Sequence, residues 1–281
     1  MSKTTLITAV SAIVLGTAAF AELPARTGTT DAHAAPAAAG HGDATVTPAA
    51  QVQAHGGAPH WSYPADGAAE DWGSLVGDFA TCATGHEQSP INLVAATTAD
   101  VDAVNLAWST NADLTVVDNG HTIQVNVANG GGMNIGGKDF ALLQFHFHAP
   151  SEHAMGGERT AMEVHFVHKA DDGALAVVGV MMERGGTNAL FNAVMTGTTV
   201  AGPDGFTLLG NYDLQDLLPE DRSIFRYQGS LTTPPCSEVV LWSVMQNPIK
   251  VSDEAVDAFE AIYPMNARHL QPVNRRFVLQ N

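Results

Sequence analysis

Leu114–Val127 reads LTVVDNGHTIQVNV, two runs of alternating apolar and polar residues around Asn119-Gly120. Period-two alternation is the pattern of a half-buried strand, because successive side chains point to opposite faces. Asn-Gly readily takes the positive φ angles of a tight turn, so the stretch predicts a β-hairpin whose second strand starts at His121. More strand-like runs lie outward from it. NIGGKDFALLQFHFHA (134–149) and TAMEVHFVHKA (160–170) are bounded by turn residues and charges. ALAVVGVMME (174–183) is apolar over nine residues, too short to span a membrane and suited to a central strand buried on both faces. EVVLWSVMQ (238–246) is fed by Pro234 and Pro235, which cannot sit inside a sheet. Helical periodicity appears in TNALFNAVM (187–195) and SDEAVDAFEAIY (252–263), both with acidic residues near their starts and the second with Ser252 as its N-cap. The expectation is a mainly β domain, a large sheet with short peripheral helices.

Of 281 residues, 45% are hydrophobic and 15% charged, a globular composition. Acids outnumber bases 29 to 12, and a net charge of -17 argues against binding nucleic acid or anionic membranes, both of which need basic patches. Residues 1–21, MSKTTLITAVSAIVLGTAAFA, have the basic start, apolar stretch and small-x-small ending of a cleavable export signal. A retained anchor is the weaker reading, since the apolar stretch is short and broken by Thr and Ser. Export to a periplasmic or secreted location follows, with no membrane insertion after cleavage. Residues 22–58 are dominated by Ala, Pro, Gly and Thr and read as a flexible linker. Its His33, His41 and His55 are too sparse for strong metal binding and read as a solvated tail. The globular domain takes 59–281, enough for one core. An oxidising compartment favours pairing Cys82 with Cys236; two free buried thiols are the alternative.

QFHFHAPSEH (144–153) holds three histidines among apolar neighbours. In a strand His146 and His148 share a face while Phe145 and Phe147 take the other. If TAMEVHFVHKA pairs alongside, His165 can converge on them. Three imidazole nitrogens leave one tetrahedral zinc position open, the pattern of a catalytic site, and neutral ligands around one cation bring bound water to a pKa of about 7. Gln144 and Glu163, each two residues before a histidine, are placed to accept an imidazole N–H. The competing reading is a set of satisfied core histidines. His153 and His168 read as structural: a packed second histidine, and a side chain on the opposite face of the His165 strand.

The wider pattern resembles the α-class carbonic anhydrases. The resemblance is carried, in order, by HWSY (60–63), HEQSPINL (86–93), DNGHTIQV (118–125), LLQFHFHAPSEH (142–153), AMEVHFVH (161–168), LAVVGV (175–180), LLPE (217–220), YQGSLTTPPCSEVVLWSV (227–244) and NARHLQPVNRR (266–276), nearly all of 60–281. It implies a large, mostly antiparallel sheet with a conical active-site cleft. It also implies a zinc-dependent lyase, a carbonate dehydratase, in which zinc-bound hydroxide reversibly hydrates carbon dioxide to bicarbonate and a proton, with slow esterase activity on the side. His146, His148 and His165 become the zinc ligands. Thr232 becomes the acceptor that orients the hydroxide, donating in turn to Glu152, which would otherwise read as a surface loop acid. His121, otherwise a turn-flanking surface histidine, becomes the proton shuttle, and an ordinary imidazole pKa of about 6.5 suits that task. Tyr63, Asn119, Gln124 and Gln144 order water along its path. Val167, Val177, Leu231, Val240 and Trp242 form the apolar wall for carbon dioxide, with Thr233 beside them. A Cys82–Cys236 disulfide and inhibition by anions and sulfonamides are implied as well. Gln228 departs from the proline common in relatives, away from any catalytic position. A catalytically dead relative serving as a binding module would lack one of the three ligands, and all three are present.

Overall fold

The computed structural model describes residues 60–63, 68–94, 96–102, 104–200 and 205–281. The expected export signal and the linker with its three histidines lie outside the described residues. Strands β1 (Asp113–Asp118) and β2 (Ile123–Ala128) pair antiparallel as the alternation requires. Their connection takes residues 119–122, longer than the tight turn expected, so β2 starts at Ile123 rather than His121. Gly120 takes φ +85°. Asn119 Oδ1 accepts from the backbone N–H of both His121 and Thr122, which holds two further residues out of the ladder. The run 134–149 splits likewise: β3 (Gly131–Ile135) and β4 (Lys138–His148) form a hairpin through Gly136 and Gly137, both at positive φ.

β4 pairs antiparallel with β5 (Met162–Lys169), and the register shifts between Leu142 and Gln144. Before the shift Leu142 lies opposite His168; after it His146 lies opposite His165. Phe140 and Leu142 point into the same core as Phe145 and Phe147, although the step from 142 to 145 breaks the alternation. The bulge restores the phase by leaving Leu143 half exposed. A regular β4 would send His146 and His148 into that core and away from His165.

β6 (Leu175–Arg184) continues antiparallel to β5. Beyond it lie β8 (Val240–Met245) and then β7 (Ile224–Gly229), which pair with each other antiparallel. β8 runs parallel to β6, as does β9 (Ile249–Val251), and Leu279–Gln280 runs parallel to Thr97–Thr98. The expected large, mostly antiparallel sheet is therefore present, thirteen strands among the described residues, with three parallel pairings within it. Parallel pairing needs a long crossover, supplied between β6 and β8 by helix α1 (Ala189–Val200) and the β7 excursion.

Both faces of the central strands are covered, which accounts for the unbroken apolar run of β6. On one face Phe145, Phe147, Phe166 and Val178 pack with Phe191 of α1 and with Val256 and Phe259 of helix α2 (Asp253–Ile262). On the other, Val177, Val240, Trp242, Val244 and Tyr227 form a smaller cluster with Ile91 and Leu93. Ser252 caps α2 as expected, accepting from Ala255 N–H, with Asp253 and Glu254 in the first turn. α1 differs from expectation: its first turn carries no acid, and Asn188 caps it by accepting from Phe191 N–H. Among the described residues no helix is long and apolar enough to cross a membrane.

Candidate metal centre

The smaller cluster and the three histidines share one face of the sheet. His146 and His148 lie on β4 and His165 on β5, with ring centroids 4.7–5.4 Å apart. One nitrogen from each falls within 4.8 Å of the other two. Each ring has its second nitrogen beside an oxygen, hydrogen-bonded in two of the three. His146 Nδ1 lies 2.8 Å from Gln144 Oε1, and His148 Nδ1 lies 2.7 Å from the backbone oxygen of Asn266. His165 Nε2 is 2.9 Å from Glu163 Oε1, though without the alignment of a full hydrogen bond. What remains is Nε2 of His146, Nε2 of His148 and Nδ1 of His165. His148 Nε2 is buried with no hydrogen-bond partner, a costly state for a polar atom unless a cation takes its lone pair. Three imidazole donors with no hard oxygen ligand suit zinc or a neighbouring transition metal rather than calcium or magnesium.

Burial holds the His146 imidazole well below its ordinary pKa, with His148 and His165 adding to the effect, and burial lowers His148 too. Both are thereby kept neutral, the form that ligates. At His165 burial also pulls downward, but the charge and contact of Glu163, with Glu152 behind it, prevail and raise it. Glu163 is fully buried, and burial alone would raise its pKa; His153 and His165 outweigh that and hold it well below the usual carboxylate range. A second imidazole–carboxylate group, His153 with Glu163 and His165, is close enough to hold a metal. It is instead satisfied internally: His153 Nδ1 lies 2.8 Å from Glu163 Oε1, His153 Nε2 lies 2.6 Å from Tyr227 Oη, and Tyr227 meets Ser89. The structural reading of His153 thus acquires a partner chain. His168, on the other face, accepts from Trp108 Nε1, and burial takes its pKa down to about 4.

Glu152 is fully buried rather than a surface acid. Its Oε1 accepts from the backbone N–H of Arg268, while Oε2 has no hydrogen-bond partner and stands 3.5 Å from His148 Nε2 and 3.8 Å from His165 Nδ1. Thr232 is buried in the loop after β7, which is closed by bonds from Leu231 N–H to Ser237 O and from Cys236 N–H to Thr233 O. The structure draws no hydrogen bond between Thr232 and Glu152; Oε2 is the oxygen left for one. The disulfide joins Cys82 to Cys236 at the end of that loop, Cα–Cα 5.0 Å. Val177 lies opposite Val167 on β5 and beside Trp242 on β8, and the Trp242 ring is 4.8 Å from that of His165. With Val240 and the partly buried Leu231 they form an apolar patch against one histidine.

His121 is half-buried on the β1–β2 loop, its ring stacked on Trp61 at 3.7 Å. Burial, then the charge of His60, lowers its pKa. On the same side Asn119 Nδ2 donates to Gln124 Oε1, and Gln124 Nε2 donates to Asn126. Tyr63 is buried against Trp61 and Trp72. Sequence reading missed three contributors. Asn266 offers its carbonyl to His148 and its side chain to Ala149, Phe147 and His121. Arg268, almost fully buried, donates to Gln88, Ser89 O and Cys82 O. Tyr227 completes the His153 chain. Each acts across a long stretch of sequence, which no local pattern announces.

A family model described as eukaryotic-type carbonic anhydrase matches residues 68–281. A carbonic anhydrase of Pectobacterium atrosepticum is 38% identical over 221 residues, covering 78% of this chain and 90% of the relative. One of Klebsiella pneumoniae is 39% identical over 226 residues, covering 79% and 92%. Among solved structures, the α-carbonic anhydrase of Thermovibrio ammonificans in complex with sulfanilamide superposes with a TM-score of 0.75 at 39% identity, covering 79% of this chain and 100% of that one.

Proposed function

Since the chain belongs to the eukaryotic-type carbonic anhydrase family, whose members hydrate carbon dioxide, we propose that it does so at a zinc ion held by His146 Nε2, His148 Nε2 and His165 Nδ1. The observation that carries this reading is the oxygen that Gln144, Asn266 and Glu163 each set beside the opposite nitrogen of a ring, which leaves one lone pair of each ring turned inward. Zinc bound there would supply the Lewis acidity that brings a water in the fourth position to a pKa of about 7.

The chain's own groups do the rest. Glu152 Oε2 accepts the Thr232 proton, so that the Thr232 oxygen is left as an acceptor and fixes which lone pair faces the substrate. Carbon dioxide, uncharged and poorly hydrated, rests on Val167, Val177, Leu231, Val240 and Trp242, with Thr233 at the edge. His121 takes up the released proton and passes it to buffer, with Tyr63, Asn119, Gln124 and Gln144 holding water on the polar side. Activated esters would be hydrolysed slowly by the same nucleophile, and anions or ionised sulfonamides would compete for the fourth position. The same proposal takes residues 1–21 as an export signal, 22–58 as a linker and 59–281 as the catalytic domain; the disulfide supports an oxidising destination.

Chelation tests the reading. Dipicolinate-treated protein should lose carbon dioxide hydration and recover it with stoichiometric zinc. Undiminished activity in metal-free protein would contradict it.

A further inference from the structure

The loop that carries His121 is fastened at two ends by different elements. On its inner side Thr122 Oγ1 donates to the backbone oxygen of Phe147, the residue between the two β4 ligands. Asn266 Nδ2 donates to that same oxygen at 3.0 Å and to His121 O at 3.1 Å. The outer rim, Asp118 to Gly120, is solvent-exposed, and Gly120 gives it a permissive backbone. There Asp118 Oδ1 accepts from Gly120 N–H at 3.0 Å and from the hydroxyl of Tyr263. Tyr263 caps α2, its N–H donating to Phe259 O and its ring 5.8 Å from that of Phe259, which belongs to the core. The hydroxyl is therefore delivered to the loop by a rigid helix end.

We propose that Tyr263 is a positioning residue for proton export: through Asp118 it holds the loop so that His121 stays stacked over Trp61. This rests on the reading of His121 as the shuttle. Proton release follows departure of bicarbonate, so a misplaced His121 lowers kcat in weak buffer and leaves kcat/KM for carbon dioxide alone.

The test uses the zinc-loaded full chain. Tyr263→Phe keeps the ring against Phe259 and deletes only the donor. It should lower kcat in weak buffer about threefold to tenfold, in keeping with a lost hydrogen bond, while kcat/KM stays within about twofold and added imidazole restores turnover. Asp118→Ala should match it. Asp118→Asn, which keeps an acceptor oxygen, should restore most of the difference, and Tyr263→Phe should add nothing to Asp118→Ala. A readout independent of turnover is the upfield ring-current shift that the Trp61 stack imposes on the His121 ring protons, which should shrink in Tyr263→Phe. Wild-type kcat in weak buffer, a parallel fall in kcat/KM, or a deficit that imidazole does not relieve would each overturn the inference. His121→Ala separates the two levels: if it too leaves weak-buffer turnover unchanged, the shuttle reading fails and this inference with it. If His121→Ala is slow and Tyr263→Phe is not, only the inference fails.

Discussion

Replacing both cysteines by alanine removes a crosslink between residues 154 apart in sequence. In the chain-entropy relation, closing a loop of that size in the unfolded chain stabilises the fold by about 5 kcal/mol at 25 °C. A domain of this size shifts its midpoint by about 2–4 °C per kcal/mol, so Cys82→Ala/Cys236→Ala should melt about 10–20 °C below wild type. The site should feel the loss too, because the Cys236 N–H bonds Thr233 O and anchors the segment bearing Leu231 and Thr232. Arg268 also donates to Cys82 O, so the same bond helps fix the neighbourhood of Glu152. The assay is thermal unfolding by circular dichroism at one saturating zinc concentration for both proteins, since bound metal stabilises by mass action. Fully reduced wild type should melt with the double variant. A variant melting within about 3 °C of wild type would refute loop closure as the source of stability.

Glu163→Gln removes the buried anion facing His165 and His153, and zinc affinity should fall about 10- to 100-fold in a chelator competition; an unchanged affinity would deny Glu163 its orienting role. Val177→Phe fills the apolar patch where substrate would rest, and a pocket misfit of about 1–3 kcal/mol corresponds to roughly a 5- to 150-fold loss in kcat/KM with zinc content intact. If the rate holds, carbon dioxide does not rest there. Burial keeps His168 neutral down to a pKa of about 4, against about 6.5 in the unfolded chain. Between those values the unfolded state binds the extra proton, so this stability is whole above pH ~6.5 and declines by about 3 kcal/mol as the pH falls to ~4. His168→Gln keeps an acceptor for Trp108 and should move the acid-unfolding midpoint downward; coincident acid transitions would count against that account.

Much of this was readable from pattern. Alternation located β1 and β2, strand-like runs bounded by turn residues, charges or prolines located β5 and β8, the apolar run located β6, and the spacing of HFH placed two histidines on one face. The convergence with His165 depended on something subtler, the bulge at Leu143. Its trace is present in FALLQFHFH, where Phe140 and Leu142 fall out of phase with Phe145 and Phe147, a break that a single-strand reading passes over. Glu152 was opaque for a different reason. Its burial depends on a backbone N–H 116 residues away, and loop acids without such a partner stay in water. Asn266 engages His148 across 118 residues and Tyr227 engages His153 across 74. Such contacts are set by which strands become neighbours, and period-two patterns carry no information about that order.

The most direct test of the central claim measures zinc per chain and carbon dioxide hydration together, in wild type and in His146→Ala. Wild type should carry about one zinc and hydrate carbon dioxide fully, and the variant should lose both. A wild-type chain loaded with zinc yet unable to hydrate carbon dioxide, or a variant that hydrates it without zinc, would contradict it.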